Sequence, residues 1–265
     1  MLHVHQDAEQ DNRLQVAIDL ARLSGGRIAC VQVAGALPHS VDFHGEMLGL
    51  AAIIDTIHDQ DRMLRQDTEA RLRRAGIEWD WRCFDGGVVE ALIAQSRLAD
   101  IIVVSQPIAR RPAAGQPLPI VGDVVVHTSA PVLMVPAGRN HFDAAGPAIM
   151  AWNGSAEAAH AMRLAVPLLQ RASCVHLVEV TDDAPGAPAS EAATYLARHN
   201  IICEVHEWPP KGRQIALALL HAAAELEARY LVMGAYGHNR LRETILGGVT
   251  RDLIHSTTVP LLLAH

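Results

Sequence analysis

The sequence predicts an α/β protein made of two tandem doubly wound domains, and three observations carry that prediction. Short β-branched runs alternate with Ala/Leu-rich amphipathic stretches, the pattern of right-handed βαβ crossovers, a parallel sheet and helices on both of its faces. The pattern also occurs twice. ADIIVVSQ from Ala99 and ARYLVMGA from Ala228 are followed at one interval by SAPVLMV and TVPLLLA, so Ser105 maps to Gly234 and Pro131 to Pro260 at a single offset of 129 residues. Upstream, RIACVQVAG matches ASCVHLVEV, each following an Ala/Leu-rich helical stretch. Finally, 265 residues suit two units of about 100 to 200 residues each. The seam falls in 136–147, PAGRNHFDAAGP, where Gly, Pro, Asn and Asp cluster without apolar period and read as an interdomain linker. The expected domains are 1–138 and 147–265, each a Rossmann-like sheet of five parallel strands.

In the second domain AIMAW is strand one, and Ser155 caps a helix from Ala156 to about residue 171. Glu157 lies in its first turn, where negative charge suits the helix dipole. CVHLVEV is strand two, SEAATYLARHN a short helix and IICEVHEW strand three. RQIALALLHAAAELEA is a helix with Ile215, Leu219, Ala222 and Leu226 on one face. RYLVMGA is strand four, and a last helix from about residue 247 to 255 leads into strand five, VPLLLAH. The first domain repeats the order, with a longer second helix over 46–76 and a first strand, MLHVHQ, at the start of the chain.

Composition narrows the function. Half the residues are hydrophobic and 19% are charged, which supplies cores and argues against disorder. A net charge of -7 and a pI near 6.1 argue against nucleic acid and anionic membrane as partners. The apolar runs stop short of the ~18 residues of a membrane span, and MLHVHQDAEQ lacks the form of a signal peptide, so a cytoplasmic protein is expected. Lys211, the only lysine, sits outside any G-x-x-x-x-G-K-[ST] motif, which excludes a P-loop ATPase. Cys30, Cys83, Cys174 and Cys203 occur singly, without C-x-x-C spacing, and read as reduced, buried small hydrophobes.

In doubly wound sheets the ligand crevice lies beyond the carboxyl ends of the strands, where strand order reverses. In the second domain that points to Asn153-Gly154-Ser155 after strand one and to Gly234 through Thr250 after strand four. The latter reads G-x2-G-x9-G, from Gly234 through Gly237 to Gly247, with Gly248, Val249 and Thr250 opening the last helix. A helix N-terminus offers unpaired amides and partial positive charge, and glycines let backbone approach an anion, so this loop can cradle phosphate without a lysine. Arg240, Arg242 and His238 could add charge or a donor. The plainer alternative is that these glycines only form a turn and a helix start.

These residues resemble the universal stress protein family in its tandem two-domain form. AWNGS after strand one, and G-x2-G-x9-G ahead of V-P-L-L after strand four, carry the resemblance over 147–265, and more weakly over 1–138. The resemblance implies a Rossmann-like fold of the adenine nucleotide alpha-hydrolase-like kind, association through the last strand, and an adenine nucleotide as ligand. ATP is the foremost candidate, with Mg2+ a companion ion. The family's acidic residue at the end of strand one falls on Asn153. Val180 takes the place of the residue whose main chain meets adenine. Gly234, Gly237 and Gly247 match the phosphate-loop glycines, and Gly248 replaces the usual Ser or Thr. Ala151, Met233, His238, Val249 and Thr250 complete the expected nucleotide set. Losing one neutral hydroxyl contact costs about 0.5–1.5 kcal/mol, and the missing carboxylate a similar or larger amount. An interaction scaffold without nucleotide, acting through association, therefore stands as the alternative.

At the same offset the first domain has Ser105, Ile108 and Leu118 in place of the three glycines, so no nucleotide is expected there. The last strands, PVLMV and PLLLA, would be apolar edges needing cover, by a second copy or by each other. His3, His5, His39 and His44 lack an acidic or cysteine partner at ligand spacing, and no metal site is expected. Trp79 and Trp81 read as packing residues, and RLRR and RRPAAG as solvated surface. No G-x-S-x-G elbow and no acid–base pair at useful spacing is visible, so at most slow ATP hydrolysis is expected.

Overall fold

The computed structural model describes residues 1–34, 47–108, 116–179, 187–208, 215–237 and 248–265, with only the backbone described at 34 and 47–54. The first half runs β1 (Leu2–Val4), α1 (Gln10–Ser24), β2 (Ile28–Ala34), α2 (Met47–Ala75), β3 (Trp79–Asp85), α3 (Val88–Gln95), β4 (Ile102–Ser105), α4 (Val121–His127) and β5 (Val132–Val135). The second half repeats this order as β6 (Ala148–Trp152), α5 (Ala156–Leu169), β7 (Val175–Glu179), α6 (Ala189–Arg198), β8 (Cys203–Glu207), α7 (Ile215–Glu225), β9 (Tyr230–Gly234), α8 (Gly248–Ser256) and β10 (Leu261–Ala264).

All ten strands join one sheet in the order β3-β2-β1-β4-β5-β10-β9-β6-β7-β8. Neighbouring strands are parallel within each half, and β5 meets β10 antiparallel. Leu133 pairs with Leu262, its own counterpart at the 129-residue offset, while Val132 pairs with Leu263 and Met134 with Leu261. A pseudo-twofold axis therefore passes through the Leu133–Leu262 pair. The two apolar edges cover one another within the chain. Each side chain here is at most 1% exposed, and burying an aliphatic side chain of this size contributes about 1.5–3 kcal/mol.

Two apolar layers, one on each face of the sheet, continue across this seam. One packs α1, α2, α5 and α6 against β1, β6 and β7; the other packs α3, α4, α7 and α8 against β4, β5, β9 and β10. Local sequence explains the helices. Ser155 accepts from the Ala158 amide at 3.1 Å as the N-cap of α5, whose Ala158, Ala161, Met162, Ala165 and Leu169 form the buried stripe. α1 ends at Gly25, whose φ of 64° suits a residue without Cβ.

The 136–147 connection is packed rather than free. Phe142 is buried against Tyr230, ring centroids 5.4 Å apart, and Asp19 on α1 accepts from the Phe142 amide at 3.0 Å. The connection thus bonds to the first half while filling a hole in the second. Among the described residues no helix is long and apolar enough to cross a membrane.

Candidate functional site

The strand order puts one crevice between the ends of β1 and β4 and another between the ends of β6 and β9. In the first half that space is filled. The Arg13 side chain is fully buried, and its Nε donates to the His3 carbonyl at 2.7 Å. Nη1 donates to Ser105 Oγ at 2.5 Å, and Nη2 donates to Asp7 Oδ2 at 3.1 Å, Gln10 Oε1 at 2.6 Å and the His5 carbonyl at 3.2 Å. Asp7 is as deeply buried as Arg13. Burial lowers the Arg13 pKa, and the Asp7 charge and hydrogen bond oppose that shift. The arrangement is a saturated ion pair with no donor left for a ligand. Ile108, also aligned with the glycine loop, is exposed, and Leu118 is partly buried.

The second half repeats the element order with a shorter turn and different side chains. Asn153 Oδ1 accepts from the Ser155 amide at 3.2 Å, as Asp7 Oδ1 accepts from the Glu9 amide at 2.9 Å in the first half. Counted from the N-caps Glu9 and Ser155, Arg13 corresponds to Ala159 and Asp7 to Asn153. The buried charge pair has gone as a unit, and Asn153 is exposed.

Each expected site residue has a distinct place. Ala151 is partly buried on β6 and Met233 is buried on β9. A Cβ on Gly234 would sit 2.4 Å from the Ala158 amide nitrogen and 2.4 Å from the Glu157 carbonyl carbon, so the backbone of α5 packs directly on this glycine. Gly237 is exposed, and its Cβ would lie 3.5 Å from Glu157 Oε2. Gly248 and Val249 are partly buried at the start of α8, Thr250 is buried, and a Cβ on Gly248 would meet nothing within 4 Å among the described residues. Val180, His238 and Gly247, with Arg240 and Arg242, lie outside the described residues.

Sequence reasoning missed three residues here. Arg13 shares a helical face with Ala17 and Leu20, which marked it for burial. Glu157 was read only as a first-turn acid, yet it is buried and its carboxylate faces Gly237. Tyr236, between the glycines, adopts φ of 58°, and its hydroxyl is buried. Burial, and secondly the charge of Asp123 on α4, push that phenol up to about 12. Of the scanned histidines, His3 and His5 stack at 5.7 Å, while His39 and His44 lie outside the described residues. Trp79 and Trp81 pack beneath Arg73 and Arg65.

The fold and site define the class: an α/β protein with two Rossmann-like halves fused edge to edge into one sheet. Residues 210–265 match the model of the universal stress protein family. The universal stress protein Rv2319c of Mycobacterium tuberculosis is 34% identical over 77 residues, covering 29% of this chain and only 26% of that relative. A universal stress protein structure from Archaeoglobus fulgidus superposes with a TM-score of 0.74 at 16% identity, covering 99% of this chain and 95% of the other. A functionally unknown protein of Pseudomonas aeruginosa gives 0.58 at 15% identity, covering 99% and 91%. The chain is a tandem protein with two universal-stress-protein-like halves, and the family's domain model falls in the second.

Proposed function

We propose that the chain is a stress-response regulatory module whose second half, 147–265, takes an adenine nucleotide, ATP foremost, while the first half, 1–138, serves as a closed partner. The observation that carries this reading is the difference between the crevices: Arg13 and Asp7 fill one, and Ala159, Asn153 and the bare start of α8 at Gly248 occupy the corresponding places in the other. The described residues fit such a ligand. The α8 amides in this reading turn the positive end of the helix dipole to phosphate, and the amide of Asn153, which is exposed, takes ribose or base. In this reading Val180, Gly237, His238, Gly247, Val249 and Thr250 belong to the same site. Glu157 opposes a polyanion, and a divalent ion such as Mg2+ carried with the phosphates offsets it.

The same carboxylate beside Gly237 favours the second reading, an interaction scaffold with no nucleotide. Calorimetric titration of the full chain with ATP, with and without Mg2+, separates the two. Gly248→Asp has open space for its side chain, and its charge suits a helix N-terminus by about 0.3–1 kcal/mol. The expected result is binding by the wild type, with affinity weakened about tenfold or more in Gly248→Asp at an equal or higher melting temperature. A folded wild type that gives no heat with ATP under either condition leaves the scaffold.

A further inference from the structure

On the second half's outer edge, β7 and β8 run parallel with His176 beside Glu204 and Val178 beside His206. Alternate residues of a strand share a face. Cys174 and His176 therefore project with Glu204 and His206: the first three converge, and His206 meets the group through His176 and Glu204. His176 Nδ1 lies 3.9 Å from Cys174 Sγ, 3.3 Å from Glu204 Oε2 and 3.1 Å from His206 Nε2; His206 Nε2 is 3.7 Å from Glu204 Oε2. The ligand atoms of Cys174, His176 and Glu204 all fall within 4.8 Å of one another.

Hydrogen bonding explains this cluster poorly. A neutral imidazole nitrogen either donates one proton or accepts one, yet His176 Nδ1 faces a thiol, a carboxylate and a second imidazole nitrogen. One cation at the centre engages all four groups. With bonds of about 2.0–2.3 Å and tetrahedral angles, the ligand atoms of zinc stand about 3.3–3.6 Å apart, close to the separations here. The donor set of one thiolate, two imidazoles and one carboxylate suits a borderline metal and not Mg2+ or Ca2+. The His176 and His206 side chains are 10% and 26% exposed, and Glu204, at 64%, leaves a path from solvent.

We propose that Cys174, His176, Glu204 and His206 form a tetrahedral site for a divalent transition metal, Zn2+ foremost, that clips the terminal strand β8 to β7. The site is independent of the nucleotide crevice. It lies on residues the sequence left out of metal binding, because C-x-H and E-x-H converge only once the register of the two strands is known.

The test uses the full chain stripped by a chelator, then titrated with Zn2+ in calorimetry and with Co2+ as a spectroscopic probe. The expected result is one metal per chain, tetrahedral d–d bands, a thiolate-to-cobalt charge-transfer band and a raised melting temperature. Cys174→Ser removes the charge-transfer band. Glu204→Gln, at an exposed position that the fold tolerates, weakens Zn2+ about tenfold or more. Cys203→Ser changes neither readout, because Cys203 pairs with Val175 and faces the opposite layer. A stripped wild type that keeps its far-ultraviolet spectrum and takes up no metal overturns the proposal. So does a charge-transfer band that follows Cys203, or Zn2+ affinity unchanged in both Cys174→Ser and Glu204→Gln.

Discussion

The two switch-point crevices share a place in the strand order and differ in the side chains around them. In the first half Asp7 closes an Asx turn and holds Arg13; in the second Asn153 closes the same turn and Ala159 stands where the arginine would be. Ser105, which accepts from Arg13, gives way to Gly234, onto which α5 packs. The lesson is that three substitutions travel together. An unpaired buried carboxylate or guanidinium costs several kcal/mol, so the pair is kept or lost as a unit. Its loss lets the helix approach the strand only if the strand position gives up its side chain. Keeping the ion pair in one half and dropping it in the other is thus a single packing change.

The largest effect follows from breaking the closed crevice. Arg13→Ala leaves the buried Asp7 carboxylate without its cation and is expected to lower unfolding free energy by about 3–5 kcal/mol, read from chemical denaturation. Adding Asp7→Asn copies the second half's pair of Asn153 and Ala159 and should restore part of that loss, because the Asx turn survives and the buried charge does not. A single-variant loss below about 1 kcal/mol would show that the ion pair does not hold this half together. The reciprocal graft is smaller. Gly234→Ser places a Cβ against backbone atoms of Glu157 and Ala158, where no flexible side chain can yield. It is expected to cost about 1–3 kcal/mol in the same measurement. An unchanged midpoint would mean that α5 can retreat, and that Gly234 serves the crevice rather than the packing.

Local features of this comparison were legible in the sequence, and features that depend on register were not. The Ser155 cap, the start of α8 and the alternation of strands and helices are written within a few residues of each element, and they fall where expected. The repeat offset also carried into three dimensions, since it relates the two partners of the Leu133–Leu262 pair. That these edges would meet each other was one of two options, because an apolar strand says that it needs cover and not whose. Arg13 was hidden because four of its partners lie within ten residues, two of them main-chain carbonyls that any sequence has, while Ser105 is distant in the chain. The 136–147 stretch has the composition of a linker, yet Phe142 reaches Tyr230, a contact that composition does not encode.

The smallest expected effect concerns protons and again divides the halves. Leu2 pairs with Val103 as Met150 pairs with Val232, which makes His3 the counterpart of Ala151. His3 is 2% exposed, and its Nε2 has no hydrogen-bond partner among the described residues. Burial, followed by the charges of Arg13 and His5, holds its pKa well below the ordinary value of 6.5. The sign follows from linkage. Above pH 6.5 His3 is neutral in both states and its contribution to stability is fully present. As pH falls below 6.5 the unfolded chain takes up a proton that the folded chain refuses, and stability is lost until the folded pKa is reached. His3→Leu, of similar size and uncharged, should therefore flatten the fall in stability between pH 6.5 and 5. The difference in slope from the wild type is at most about 1.4 kcal/mol per pH unit. His5, also lowered mainly by burial, keeps some slope in both proteins, so the comparison rests on the difference between them. Parallel pH profiles would mean that water reaches His3 through the crevice that Arg13 is described as closing, and the contrast between the two halves would lose its electrostatic part.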